Sequence, residues 1–196
     1  MSFLDIESTL DYKHIVGIDE VGRGCFMGPM VVGFCFYNPS LQTIADLTDS
    51  KKLTAAKRTK IAPEIASKAK FLLVSIDSSF LDLYGLNMAY LYAAKRFCRY
   101  FNLNLGETYF LSDYGIKLPR EFNARHLKSG DSLCYSIAAA SVLAKVYRDN
   151  VMIGLELLHP NFSSSSHKGY GSKAHRDKIA ELGPSRAHRL SFLKNV

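Results

Sequence analysis

The alternation of apolar and polar positions along the chain predicts a sheet whose strands are interleaved with helices. Five short segments are rich in β-branched and aromatic residues and are bounded by turn residues, as strands are. A glycine-rich stretch separates the first two, which favours a hairpin, and the later ones alternate with helical segments. The predicted strands are HIVGIDEVG (14–22), PMVVGFCFY (29–37), FLLVSID (71–77), TYFLSD (108–113) and FNARHL (122–127). This order predicts an α/β fold with a mixed sheet flanked by helices.

Two helices are predicted between the strands, where apolar residues recur every three to four positions. The first covers TAAKRTKIAPEIASKAK (54–70), with Thr54 as its N-cap and Pro63 expected to kink it. The second covers 79–101, with an early break at Gly85. Its core-facing stripe consists of Leu86, Tyr90, Ala93 and Phe97.

A long apolar helix and a basic segment make up the C-terminal part of the chain. The helix is predicted over SLCYSIAAASVLAKVYRDNVMIGLELL (132–158). Pro160 and the run NFSSSS (161–166) end it and predict a flexible loop. A short basic helix then follows in GSKAHRDKIAELG (171–183) and ends at Gly183.

Composition and charge narrow the class of protein. The chain has 196 residues, of which 47% are hydrophobic and 22% charged, and it contains no apolar run long enough to span a membrane. Its first residues, MSFLDIESTLDYKH, are acidic, unlike a signal or transit peptide, so we expect a cytoplasmic protein. The four cysteines have apolar neighbours and no metal-ligand spacing, and we expect reduced core residues.

The basic charge is concentrated at the C-terminal end. The net charge is +7, and residues 167–196 contain seven Lys or Arg against two acids. A basic end without a long amphipathic apolar face favours nucleic acid over a membrane as the partner.

Acidic residues at the ends of two predicted strands suggest a metal site. Asp19 and Glu20 end the first strand, and Asp113 ends TYFLSD. Functional groups gather where strand ends converge in α/β sheets, and several carboxylates in one place repel one another unless a cation neutralises them. Because only oxygen ligands are offered, Mg²⁺ or Mn²⁺ is the expected ion. A phosphate backbone would suit both this metal site and the surrounding basic charge.

Two residues compete to be a fourth acid. Asp131 directly precedes the long helix, whereas Asp149 lies within it. The two are eighteen residues apart, about 27 Å along an unbroken helix, so both cannot join one cluster. Asp131 could instead be a helix N-cap, and Asp149 could be the ion-pair partner of Lys145 four residues earlier. Position favours Asp131, because the N-terminal end of a helix can overlie strand ends and favours anions.

Six ordered blocks resemble the ribonuclease HII family, the type 2 ribonucleases H. The blocks are GIDEVGRGCFMGPMVVG, DSKKL, LSDYG, KSGDSLCYSIAAASVLAKVYRD, HKGYGSKAH and GPSRAHRLSF. The resemblance implies a ribonuclease H-like fold with a small helical basic C-terminal lobe. We expect a catalytic domain over 1–160 and a basic substrate-binding segment over 161–196 packed on it.

The activity that the resemblance implies is hydrolysis of RNA in RNA–DNA hybrids and nicking of duplex DNA 5′ of embedded ribonucleotides. The expected products carry 3′-hydroxyl and 5′-phosphate ends, and two Mg²⁺ or Mn²⁺ ions are expected to take part. By position, Asp19, Glu20, Asp113 and Asp131 match the metal-binding catalytic acids, and Asp149 lies outside that set. We expect the chain to act as a monomer.

The resemblance also implies how the substrate is recognised. The Gly22-Arg23-Gly24 turn is expected to contact the sugar-phosphate at the scissile junction and to sense the 2′-hydroxyl, which distinguishes RNA from DNA. Tyr170 is expected to pack on the deoxyribose after the ribonucleotide. Phosphate contacts are expected from Lys51, Lys52, Lys168 and Lys173.

Some features depart from the family pattern or leave other functions open. Ser112-Asp113-Tyr114 stands where relatives usually carry Val-Asp-Gly, so the turn after Asp113 is expected to differ. Arg23 argues against the ribonuclease HIII type, which usually has Gly-Lys-Gly. The alternatives are a nuclease of the same fold that cuts DNA, and an RNA–DNA binding module without activity.

Overall fold

A computed structural model describes residues 6–194, and within that range five strands form one mixed sheet in the order β3-β2-β1-β4-β5. β1 and β2 form an antiparallel hairpin, and β3 pairs antiparallel with β2. β4 runs parallel to β1, and β5 runs parallel to β4. The strands are β1 (His14–Val21), β2 (Met30–Phe36), β3 (Phe71–Ile76), β4 (Thr108–Asp113) and β5 (Ala124–Leu127). The predicted strands and the mixed α/β fold are confirmed.

The predicted helices are also present, with one addition. They are α1 (Ala55–Lys68), α2 (Ser78–Tyr100), α3 (Tyr135–Leu158), α4 (Ser164–His167) and α5 (Lys173–Leu182). Thr54 caps α1 by accepting the Lys57 N–H at 3.2 Å, and α1 continues through Pro63. Gly85 breaks α2 with φ 72° and ψ 179°, as predicted. In residues 6–194 no helix has both the length and the apolar character needed to cross a membrane.

Part of the serine run is helical, so the prediction of a loop over 161–166 is wrong for residues 164–166. The short helix α4 lies against α3, where the Ser164 hydroxyl donates to the Met152 carbonyl at 2.9 Å. The Ser165 N–H donates to the Glu156 carboxylate at 2.7 Å. These bonds to α3 stabilise a helical turn that the polar composition alone did not predict.

Helix α3 packs directly on the sheet where two strands carry glycine. A Cβ at Gly17 of β1 would lie 2.2 Å from the backbone of Ser136, and one at Gly33 of β2 would lie 2.6 Å from the Ala140 carbonyl oxygen. Side chains alternate between the two faces of a strand, so Ile18 and Phe34 point to the other face, where α2 packs. There Phe97 of α2 stacks on Phe34 with 4.6 Å between ring centroids. The sheet is thus covered on both faces, with α3 held closest to β1 and β2.

The N-terminus of α3 is capped by a residue from the other end of the chain. Glu7 is fully buried and accepts the N–H groups of Tyr135 and Ser136 at 3.0 and 2.7 Å. The N-cap residue itself, Cys134, makes no side-chain capping bond. The Glu7 carboxylate therefore satisfies amides at the positive end of the α3 dipole.

The cysteine prediction is confirmed. All four cysteines lie in the described part of the chain, and none of them forms a disulfide there. Cys25, Cys35 and Cys134 are buried, and Cys98 is partly buried against the α2 side of the core.

Candidate active site

Three neighbouring parallel strands end at the same edge of the sheet, and each brings an acid there. The register pairs Ile18 of β1 with Ser112 of β4, so Asp19 and Asp113 are the next residues along adjacent strands. Asp113 in turn pairs with Leu127, the last residue of β5, and Asp131 follows in a 3₁₀ turn at Gly130–Ser132. The carboxyl ends of parallel strands are where α/β proteins assemble their sites.

A cavity of about 260 Å³ opens at this edge, and three of the four predicted acids line it. Asp19, Glu20 and Asp113 contribute the acidic side. The remaining lining residues are Val21, Gly22, Arg23, Gly24, Ser50, Lys51, Arg58, Ser141, Lys145 and Tyr170. The Gly-Arg-Gly turn, Lys51 and Tyr170 thus share one cavity with these three acids.

The carboxylates in the cavity resist ionisation. Asp19 is 7% exposed, and burial together with the Glu20 charge raises its pKa well above the ordinary value. Burial also raises the pKa of Glu20 to about 7, although Arg23, 3.9 Å away, opposes this rise. The Asp113 charge adds to both increases. A cation at this place would relieve repulsion that the protein alone does not neutralise.

Asp131 lies beside the cavity rather than on its lining. It is 1% exposed, and its Oδ2 accepts from the Lys51 ammonium at 3.3 Å. Its Oδ1 is buried and has no hydrogen-bond partner among the described residues. Burial and the neighbouring Asp49 carboxyl raise the pKa of Asp131 to about 6. The connection to the other acids runs through Gly130, whose N–H donates to Asp113 Oδ1 at 2.8 Å.

The four acids fit a divalent cation in chemistry, but they are not arranged as a finished ligand shell. Within the described range, no three Asp, Glu, His or Cys side chains are grouped as ligands of one ion. The Asp131 oxygen without a partner and the raised carboxyl pKa values nevertheless mark buried oxygen ligands whose charge Lys51 and Arg23 offset only in part. Such a donor set suits a hard cation such as Mg²⁺ or Mn²⁺.

Asp149, the competing candidate, has other partners. Its Oδ1 accepts from the Lys145 ammonium at 2.7 Å, the i,i+4 pair that the sequence offered as its alternative role. Arg58 of α1 lies 3.9 Å from its other oxygen. Asp149 therefore belongs to a contact between α1 and α3.

Two buried arginines that the sequence analysis did not single out hold the hairpin loop, which we define as residues 22–29 between β1 and β2. Arg148 of α3 donates to the carbonyls of Pro29, Met27 and Lys168. Arg189 donates twice to Gly28 O, at 2.8 and 3.1 Å, and to Arg23 O at 2.8 Å. Both side chains are fully buried, so they hold the backbone of the hairpin loop from the interior of the protein. Nothing in the local sequence distinguishes these arginines from surface arginines.

The predicted phosphate-binding lysines are spread along the surface. Lys51 reaches the acids, whereas Lys52 is 4.0 Å from Asp49 and Lys173 pairs with Asp177 at 3.1 Å. The Lys168 carbonyl accepts from Arg148 at 2.9 Å. These three lysines lie outside the cavity lining, so their phosphate contacts remain predictions for a substrate longer than the cavity.

The turn after Asp113, where the sequence departs from the family pattern, lies against the side chain of Arg23. Gly115 has φ 104°, and a Cβ there would lie 2.3 Å from Arg23 Nη1. The displaced glycine thus makes room for the arginine of the Gly-Arg-Gly turn. Tyr114 points outward and is 74% exposed.

Known proteins match the chain over nearly its whole length. The family model for ribonuclease HII matches residues 16–100 and 106–195. A ribonuclease HII of Mycolicibacterium vanbaalenii is 40% identical over 182 residues, which cover 91% of this chain and 72% of the relative. A ribonuclease HII of Caldicellulosiruptor bescii is 36% identical and covers 100% of this chain and 95% of the relative.

Solved structures share the fold. The RNase HII in the PCNA:RNase HII complex from Archaeoglobus fulgidus superposes with a TM-score of 0.76 at 22% identity, covering 93% of this chain and 95% of the other. Bst-RNase HIII in complex with Mn²⁺ superposes with a TM-score of 0.68 at 20% identity, covering 91% and 66%. The architecture is therefore that of the ribonuclease H fold. With the family match and relatives of 36–40% identity, the chain belongs to the ribonuclease HII family, whose members are metal-dependent endoribonucleases.

Proposed function

We propose that this chain hydrolyses the RNA strand of RNA–DNA hybrids and nicks duplex DNA on the 5′ side of an embedded ribonucleotide, leaving 3′-hydroxyl and 5′-phosphate ends. The observation that carries the proposal is the shared cavity, in which the acids at the ends of β1 and β4 face the Gly-Arg-Gly turn and Tyr170. Membership of the ribonuclease HII family supports the same reaction class.

Asp19, Glu20, Asp113 and Asp131 are the residues that would hold Mg²⁺ or Mn²⁺. When bound, two such ions would activate the attacking water and stabilise the leaving oxygen of an in-line displacement at phosphorus. The protein supplies oxygen ligands held in a buried place, where the Glu20 backbone N–H orients Asp19 Oδ1 at 2.8 Å and Gly130 N–H orients Asp113 Oδ1. Lys51 adds a positive charge beside the acids for a substrate phosphate.

Recognition of the ribonucleotide falls to the Gly22-Arg23-Gly24 turn and Tyr170. The turn's carbonyl at Arg23 is already bonded to Arg189, so the loop is preorganised for a ligand. Tyr170 is 46% exposed at the cavity wall, where its ring can cover the sugar that follows the ribonucleotide. Lys52, Lys168 and Lys173 extend positive charge beyond the cavity for flanking phosphates.

We further infer that residues 1–160 form the catalytic domain and 161–196 a basic substrate-binding segment packed on it, in a cytoplasmic protein that acts as a monomer. Backbone bonds from Gly28 N to Ala187 O and from Arg189 N to Phe26 O support close packing of the C-terminal segment.

The test is cleavage of a duplex that carries one ribonucleotide, beside an all-DNA duplex of the same sequence. With Mg²⁺ or Mn²⁺ we expect one nick, 5′ of the ribonucleotide, and no cut in the control; chelator should stop the reaction. Asp19→Asn should abolish nicking while leaving duplex binding measurable by fluorescence anisotropy. Asp149→Asn is the matched control, since it removes a carboxylate that is outside the cluster.

Each alternative function predicts a different result. Equal cutting of both duplexes would indicate a DNA nuclease of the same fold. Binding of the hybrid without nicking under any divalent ion would indicate a silent binding module. Nicking that survives in Asp19→Asn would show that the acids are wrongly assigned.

A further inference from the structure

Three histidines form a cluster next to the Tyr170 loop, which we define as residues 168–172. His175 and His188 are 1% and 2% exposed, and their Nε2 atoms are 3.0 Å apart. The ring of His167 stacks on that of His175 with 4.2 Å between centroids. The proposed reaction does not use these imidazoles, so their role needs a separate explanation.

The hydrogen bonds determine where each proton lies in the buried pair. The backbone N–H of Ser185 donates to His188 Nδ1 at 2.9 Å, so that nitrogen is an acceptor and the proton of the neutral ring is on Nε2. His188 Nε2–H then donates to His175 Nε2. The remaining proton of His175 is on Nδ1, which lies 2.9 Å from the Tyr170 carbonyl oxygen.

The same tautomers follow when the hydrogen bonds are traced from the Tyr170 carbonyl. A carbonyl oxygen can only accept, so the Tyr170 oxygen requires a proton on His175 Nδ1. His175 Nε2 is then the acceptor for His188. Both ends of the chain of bonds thus require one tautomer for each ring, and the bonds run in a single direction, from His188 through His175 to Tyr170.

This bond completes the fixation of the Tyr170 loop. The Lys168 carbonyl accepts from Arg148, and the Gly169 carbonyl accepts the N–H groups of Phe26 and Met27 at 2.8 and 3.2 Å. The Gly171 carbonyl accepts from Arg176 Nε at 3.0 Å. At Tyr170 itself, the donors to the carbonyl are the Ser172 N–H and the His175 imidazole. Among residues 6–194, the His175 imidazole is the one side chain that donates to the Tyr170 carbonyl.

We propose that His175 and His188 are positioning residues that orient the Tyr170 backbone, and with it the ring that receives the substrate sugar. The proposal rests on the function proposed above for Tyr170. It makes His175 Nδ1 the group that acts on the loop and His188 the residue that selects the required tautomer of His175.

The first experiment concerns the rings alone and needs no substrate. A two-bond ¹H–¹⁵N correlation spectrum of the wild-type protein, recorded near pH 7.5 in chelator, reports the tautomer of each imidazole. We expect His188 as the Nε2–H form and His175 as the Nδ1–H form. The opposite tautomer at His175 would overturn the positioning proposal and would leave the proposed reaction untouched.

The second experiment separates the two nitrogens of His175. Asparagine places an amide near the position of Nδ1, and glutamine places one near Nε2. His175→Asn should therefore keep a donor to Tyr170, whereas His175→Gln should lose it. We expect His175→Gln to weaken binding of the single-ribonucleotide duplex about three- to tenfold in chelator, the effect of one lost neutral hydrogen bond, and His175→Asn to weaken it less than about twofold.

Tyr170→Ala provides the reference and a double-mutant cycle. If His175 acts through Tyr170, His175→Gln should cause no further loss of affinity in the Tyr170→Ala background. A full additional loss there, or equal losses in the Asn and Gln variants, would contradict the proposal. Wild-type affinity in His175→Gln would also contradict it when Tyr170→Ala binds weakly. Wild-type affinity in Tyr170→Ala would instead refute the role proposed for Tyr170 itself, and with it the positioning proposal.

Discussion

The two glycines of the Gly-Arg-Gly turn should respond very differently to alanine. Gly22 has φ +83°, and a Cβ there would lie 2.1 Å from Arg148 Nε and 2.7 Å from Arg148 Cζ. Arg148 is fully buried and bonded to three carbonyls, so it cannot move aside without losing at least one of them. At Gly24 an added Cβ would meet no atom within 4 Å.

The expected cost at Gly22 has two parts. A left-handed conformation costs an L-residue about 1–2 kcal/mol, and a lost hydrogen bond to a charged group costs about 1.5–3 kcal/mol. Gly22→Ala should therefore lower the free energy of unfolding by about 2.5–5 kcal/mol. Gly24→Ala should change it by less than about 1 kcal/mol, because neither part applies.

Urea unfolding in chelator, followed by circular dichroism, measures both variants without interference from metal or substrate. The reasoning is refuted if Gly22→Ala unfolds at the same urea concentration as Gly24→Ala. If the stability of Gly24→Ala is unchanged, any loss of affinity for the single-ribonucleotide duplex in that variant shows that the added methyl group obstructs the substrate. Gly22→Ala could not give this information, because its fold is affected first.

Three further outcomes are expected. Glu7→Ala should destabilise the protein by about 3–5 kcal/mol, since it removes two charge-assisted bonds at the α3 N-terminus; a loss below about 1 kcal/mol in urea unfolding would argue against the cap. Burial and the neighbouring His175 lower the pKa of His188 to about 4, so the unfolded chain binds a proton between about pH 6.5 and 4 that the folded chain does not. Stability should thus fall as pH falls through that window, by at most about 3.4 kcal/mol, and His188→Gln should show a flatter profile in a pH series of urea unfolding. Mn²⁺ at about 100 times its dissociation constant should stabilise the wild type by about 2.7 kcal/mol in thermal unfolding. Asp113→Asn should lose most of this stabilisation, whereas Asp149→Asn should keep it. The reverse pattern would show that the metal binds at Asp149 rather than at Asp113.

Local patterns predicted the strands and the position of the acids, because both depend on short stretches of sequence. Short apolar runs identify β1 and β4, and an acid at the end of each must reach the same edge once the two strands run parallel. Helix length showed that Asp131 and Asp149 could not share one cluster, and the place of Asp131 just before the long helix favoured it over Asp149.

Features that depend on distant partners were not predictable in this way. Glu7 caps a helix that begins 128 residues later, and Arg189 holds a carbonyl of a turn 166 residues earlier. In each case the residue type is common and its role is defined only by the fold. The loop prediction for the serine run was wrong for a related reason. Hydrogen bonds from a serine hydroxyl and a backbone amide to α3 replace the solvent contacts that a loop would have.

Arg148 and Arg189 are buried because they hold a loop that the sheet itself does not fix. Strand ends can position acids, because the ladder of hydrogen bonds fixes them, but the hairpin loop lies outside that ladder and needs other donors for its carbonyls. Arg189 supplies them at Arg23 and Gly28, and Arg148 joins Met27 and Pro29 to Lys168 of the Tyr170 loop. A guanidinium offers five donors in a rigid plane, so one buried side chain can hold several carbonyls at once, which a lysine cannot do in the same geometry. One hydrogen-bonded scaffold thereby holds both the turn proposed to sense the ribose and the tyrosine proposed to cover the next sugar. A displacement of either element should therefore shift the other.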